Sequence, residues 1–144
     1  MLFDQKRFPN LHAGNHRDII TETNETYNCI AWAAGIDNDW WEPVAGRFWP
    51  ANTPRDFKVT SLVIAYESVG FATCTDGSLE PGIEKIAIYA NGPEYMHAAR
   101  QLETGKWTSK MGKAEQIEHE TPNDLAGPAY GQVTVFMKRT RPHQ

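Results

Sequence analysis

Between residues 1 and 27 apolar side chains are sparse and keep neither a helical nor a strand period, which predicts an extended arm laid over the rest of the chain. The character changes at Asn28. Asn28-Cys29-Ile30-Ala31-Trp32-Ala33-Ala34 is a helix-forming run closed by Gly35, with Thr26 or Asn28 available as the cap and Gly35 suited to the left-handed stop. So short and apolar a helix is predicted to be a buried central element. Residues 36 to 53 form a loop rich in Asp, Pro and Trp. Thr53-Pro54-Arg55-Asp56 then opens a second helix, in which Phe57, Leu62, Ala65, Tyr66 and Val69 recur at near-helical spacing before Gly70 ends it.

Beyond residue 70 the period shortens to two. Phe71-Ala72-Thr73-Cys74 precedes an Asp76-Gly77 turn, and Ile86, Ile88 and Ala90 alternate with Lys85, Ala87 and Tyr89. Asn91-Gly92-Pro93 predicts a hairpin to Tyr95–Leu102, and Thr104-Gly105 turns the chain into Lys106–Lys110. After an irregular stretch from Gly112 to Tyr130, Gln132–Met137 reads as the last strand. Helices first and an antiparallel meander second is an α+β order, in one domain spanning 1–144 with 1–27 as its arm.

With 144 residues, 40% apolar and 22% charged, the chain has the composition of one folded core and not of a disordered segment. Five tryptophans are many for this length, and Trp40, Trp41 and Trp49 fall within ten residues, so that loop has large rings to bury or present. A net charge of −4 argues against a broad phosphate-binding face; the basic cluster Lys138-Arg139-Thr140-Arg141 reads as a solvated terminus, and nucleic acid is not an expected partner. No window approaches the roughly 18 apolar residues that cross a bilayer, and no apolar run follows the first positive charges. The expected location is therefore cytoplasmic, without a membrane partner, and Cys29 and Cys74 are expected as thiols. No metal or other cofactor is expected: the cysteines lack histidine partners at ligand spacing, Gly14 separates His12 from His16 in a loop-like segment, and there is no glycine-rich phosphate loop. The sequence leaves the oligomeric state open.

Cys29 is the residue on which chemistry would rest. In the first turn of a helix its sulfur faces unpaired N–H groups and the positive end of the helix dipole, which favours thiolate and offers donors to an oxyanion. The plainer reading is a small buried apolar side chain. A base has to come from elsewhere in the chain. His97, in Tyr95-Met96-His97-Ala98-Ala99, is the first candidate; its alternative is a histidine hydrogen-bonded across the sheet. His119, in Glu118-His119-Glu120, is the second, and its alternative is a solvated residue. Arg100 and Lys110 are either an anionic subsite or surface ion-pair partners. Trp40, Trp41, Phe48 and Trp49 are a groove wall or a cover for the helix.

A buried helix opening with cysteine, followed by a meander carrying histidine, resembles the papain-like superfamily, and Lys85-Ile86-Ala87-Ile88-Tyr89-Ala90 with His97-Ala98 is similar to the hairpin of NlpC/P60-type peptidases and amidases. The chain also resembles a group of small uncharacterised bacterial proteins that share Tyr27-Asn28-Cys29-Ile30-Ala31-Trp32-Ala33, His97-Ala98-Ala99-Arg100-Gln101-Leu102 and Trp107-Thr108-Ser109-Lys110; that group brings no established activity. The resemblance implies a papain-like domain and a thiol hydrolase or acyltransferase cutting an amide or isopeptide bond in a peptide, protein or other amide. Cys29 would attack and His97 would carry the proton, oriented by His119, Glu118 or Ser109. Trp40, Trp41, Trp49, Arg100, Trp107 and Ser109 would contact the substrate. One departure stands out. Lys85 occupies the place of the family's catalytic histidine, and His97 falls where the third, orienting member belongs. A lysine with its ordinary pKa near about 10.4 is a poor base. Either His97 is itself the base, or Lys85 is tuned by burial, or catalysis is lost and a binding or immunity-type protein uses the same scaffold.

Overall fold

The computed structural model describes residues 4–142; Met1–Phe3, where the reading of the chain start partly falls, and residues 143–144 lie outside it. Seven strands carry most of the regular structure: β1 (His16–Ile20), β2 (Ala72–Cys74), β3 (Ile83–Asn91), β4 (Glu94–Gln101), β5 (Trp107–Lys110), β6 (Gln116–His119) and β7 (Gln132–Thr140). Between β1 and β2 lie two helices, α1 (Cys29–Ala33) and α2 (Val59–Glu67), and a single 3-10 turn spans Pro122–Leu125. The strands form one antiparallel sheet in the order β1-β6-β5-β4-β3-β7-β2.

This corrects the expected papain-like α+β domain with N-terminal helices packed on a meander. The helices are five and nine residues long, too short to build a layer of their own, and a strand precedes both. Two stretches read as irregular supply the difference. The arm contains β1, paired with β6 through His16↔His119, Arg17↔Glu118 and Asp18↔Ile117, and the segment after Gly112 contains β6 itself.

Local chemistry explains where each helix begins. Asn28 is extended at φ −114° and accepts the Ala31 amide at 3.1 Å, so Asn28 and not Thr26 caps α1. The same side chain accepts the Trp41 amide at 3.1 Å and donates to the Trp41 carbonyl at 2.7 Å, fastening the aromatic loop to the helix start. At the other end Gly35, at φ 81°, lets the amides of Gly35 and Ile36 turn back to Trp32 and Ala31. The expected start of α2 at Thr53-Pro54 lies upstream of the observed one. Asp56 sets it, accepting from the Lys58 amide at 3.0 Å and the Ser61 hydroxyl at 2.6 Å.

Both faces of the sheet are covered. Ile86, Ile88, Ala98 and Met137 lie beneath the helices, with Tyr27, Ile30, Trp41, Trp49, Leu62 and Tyr66. Ala87, Tyr89, Ala99, Trp107 and Ile117 lie on the opposite face under Phe8 and Leu11 of the arm and Leu125 of the 3-10 turn. Residues 84 to 90 of β3 are accordingly buried without a break.

Asn28→Ala removes the cap and both links to Trp41. It is expected to lower the unfolding free energy by about 2 kcal/mol, against less than about 0.5 kcal/mol for Thr26→Ala, as read from urea denaturation.

Candidate functional site

Cys29 opens α1 and lines a surface groove of about 280 Å³, whose walls include Trp41, Phe57, Tyr95 and Met96, with Glu42 and Glu94 beside them. The thiol feels opposing influences. Burial pushes its pKa up to about 11, against the pull of backbone groups at Ala98, Ile30 and Cys29 itself and of the Lys110 ammonium. Desolvation wins, so at neutral pH the group is a thiol and not the thiolate that a nucleophile requires.

The structure does not bring His97 to that sulfur. In β4, Ala98 packs with Cys29 among the residues beneath the helices, whereas the His97 ring meets Tyr89 edge-on on the opposite face. His97 stacks on Tyr130 at 4.1 Å with the rings 3° from parallel. His97 Nε2 lies 3.0 Å from Ser109 Oγ, Ser109 Oγ 2.8 Å from His119 Nε2, and His119 Nδ1 2.8 Å from the Thr121 carbonyl. The carbonyl can only accept, which fixes every proton along the row. His119 Nδ1–H donates to Thr121, Ser109 O–H donates to His119 Nε2, and His97 Nε2–H donates to Ser109. His97 Nδ1 is left as a buried lone pair without a hydrogen-bond partner.

Ser109, His119 and the Thr121 carbonyl follow the order of nucleophile, base and orienting group. Ser109, however, is fully buried, and His97 and His119 are no more than 1% exposed, so no reacting atom has access. The row serves as a strut: the backbone register of β4 and β5 is confined to Arg100↔Thr108 and Gln101↔Trp107, and the His97–Ser109 bond joins the strands beyond it. For His97 the reading as a histidine bonded across the sheet is the one realised, and His119 is buried where solvation was its alternative.

The remaining candidates separate. Lys85 is buried, with Nζ 2.7 Å from Glu80 and 3.2 Å from Asp76, and these carboxylates raise its pKa against desolvation, the reverse of tuning toward a base. Lys110 donates to the Asn24 and Gly112 carbonyls at 2.7 and 2.6 Å and is not a surface ion-pair partner. Trp49 is buried, stacked on Tyr95, and Trp41 is buried between groove and helices; Trp40 is half-buried beneath Arg47. Trp107, like Ser109, lies on the face away from the groove, against Phe136. Arg100 lies over Trp32, toward the far end of α1. Phe57, Met96, Glu42 and Glu94 were not foreseen. For the first two the signal was a large apolar residue within a place or two of a turn, where burial is hard to achieve.

Among the described residues no group of three or more His, Cys, Asp or Glu is placed to hold a metal ion, and no helix is long and apolar enough to cross a membrane. Residues 18–138 match a family described as a domain of unknown function, DUF7689, and the chain belongs to that family. No curated protein and no solved structure matches it.

The buried histidines set an acid limit on stability. Burial holds His97 well below the ordinary histidine value and lowers His119 to about 4. The unfolded chain then binds protons more tightly than the folded one, so the contribution is complete above pH about 6.5 and drains as pH falls toward 4. His119 alone accounts for about 2 kcal/mol between pH 7 and 5, a window above the ordinary carboxylate values at which the lowered Asp76, Glu80 and Glu118 begin to lose their own contributions. Urea unfolding across that window is expected to show this loss, and a shallower slope in His119→Gln.

Proposed function

We propose that this chain is a non-catalytic recognition module. In this reading the groove over Cys29 takes an apolar side chain flanked by basic residues, presented by a peptide segment of a partner protein. The observation that carries it is the pairing of an aromatic wall with uncompensated carboxylates. Phe57 and Met96 stand 38% and 43% exposed at the groove, beside buried Trp41 and Tyr95. Glu42 and Glu94 have no ion-pair partner among the described residues, so the rim favours a cation next to the apolar anchor. A volume of about 280 Å³ suits one or two side chains rather than a cofactor.

What favours this reading over a thiol hydrolase is that burial raises the Cys29 pKa and no imidazole lines the groove, while His97 and His119 are used in a strut on the other face. Cys29 then contributes only a small apolar surface, for which a methyl group can stand in. Two free cysteines fit a reducing, cytoplasmic compartment.

Titration of the ¹⁵N-labelled protein with acetyl-Lys-Leu-Phe-Lys-amide is expected to shift the Phe57, Glu94 and Met96 amides saturably. Acetyl-Glu-Leu-Phe-Glu-amide should produce much smaller shifts. Cys29→Ala should retain the response, and the double variant Glu42→Lys, Glu94→Lys should invert the preference. Equal response to both peptides, or loss of binding in Cys29→Ala, overturns the proposal.

A further inference from the structure

Near the C-terminal end of α1, away from the groove, three arginines surround one buried carboxylate. Arg139 is fully committed: Nε and Nη2 reach Glu84 Oε1 at 3.0 and 2.8 Å, Nη1 donates to the Val69 carbonyl at 3.1 Å, and Nη2 also donates to the Ala34 carbonyl at 2.9 Å. Arg141 is held more loosely, with Nη1 3.5 Å from Glu84 Oε2, Nη2 donating to the Ile83 carbonyl at 3.2 Å, and Nε 3.7 Å from Glu103. The Arg100 side chain has neither a hydrogen bond nor an ion pair with any described residue. Its Nε is buried without a partner, and the guanidinium lies 4.3 Å over the Trp32 ring. Of its donors Nε is the buried one, and a buried N–H left unmade is uncommon in a folded protein, because it costs the desolvation of a charged group.

These side chains line a cavity of about 190 Å³ together with Gly35 and Glu103. Gly35 borders it: a Cβ there would stand in ordinary contact with both guanidiniums, 3.5 Å from Arg139 Nη2 and 3.7 Å from Arg100 Nη1. Three carbonyls at the helix end are already occupied: the Ala31 and Trp32 oxygens accept the turned-back amides, and that of Ala34 accepts Arg139. Glu84 compensates one of the three positive charges. Glu103 lines the same cavity, 3.7 Å from Arg141 Nε, and although it is 75% exposed its carboxylate stands against an incoming anion. Three arginines against two carboxylates leave a formal surplus of one positive charge at a half-buried site.

The geometry points to a binding site for a phosphate group in this cavity, with Arg100 as the principal donor and Arg141 assisting. An anion answers the positive surplus, and the guanidinium fork matches phosphate oxygens in pairs. Because the cavity exceeds one phosphate, its source is either inorganic phosphate or the phosphate of a small monoester, which would fill the remaining volume. The site is separate from the peptide groove, and its test does not depend on that reading.

Isothermal titration with inorganic phosphate and with glycerol phosphate, each against chloride at matched ionic strength, separates the two sources. Saturable binding is expected with phosphate or its ester and not with chloride; tighter binding of glycerol phosphate assigns the monoester. Arg100→Lys should weaken binding at least tenfold. Glu103→Gln, at an exposed position that leaves folding intact, should tighten it severalfold. Heat no different from chloride, or an affinity indifferent to both substitutions, overturns the proposal.

Discussion

Neighbouring residues of a strand point to opposite faces of their sheet, and in β4 this alternation separates His97 from Ala98. The rest of the molecule is arranged around that division. Ala98 is small enough for α1 to lie close against the sheet, which sets Cys29 at the edge of a surface groove. His97, one residue earlier, goes to the face covered by the arm and the 3-10 turn, where its ring is fixed by Tyr89, Tyr130 and Ser109. A thiol and an imidazole separated in this way do not form the nucleophile–base pair that amide cleavage would require of them.

The two faces handle buried polarity differently. On the arm side the His97–Ser109–His119 row is kept neutral, and all but one of its ring nitrogens has a partner. Low dielectric strengthens such a row and also makes the unpartnered Nδ1 costly. Lys85 keeps its charge by borrowing two carboxylates and the Asp76 carbonyl, and Asp76 is held down at about 2 by the Ser78 hydroxyl and amide first and by Lys85 after them. Arg100 has neither solution within the protein itself. That contrast is what makes its surroundings informative, since burying charge is tolerated where something answers it.

Much of the local structure was legible. The cysteine helix, the Asn91-Gly92 hairpin and the last strand follow from caps, turn residues and period, each decided within a few residues of its own sequence. β1 and β6 were not legible, because Gln116, Glu118 and His119 are polar residues whose strand conformation depends on partners more than five residues away. The papain-like expectation failed for a related reason. A cysteine helix followed by a histidine-bearing hairpin states an order along the chain but not which face of the sheet the helix covers. The basic tail misled in the same way: Arg139 and Arg141 look like a solvated terminus, yet β3 brings Glu84 beside them.

The state of the Cys29 sulfur decides the account most directly. Selective ¹³Cβ labelling of cysteine and an NMR titration from pH 5 to 11.5 would follow it, with Cys29→Ala assigning the resonance. A midpoint near 11 is expected, with negligible thiolate below about pH 9 and no change in His97→Gln. A midpoint below about pH 8 that moves when His97 is replaced would contradict it and return the pair to catalysis.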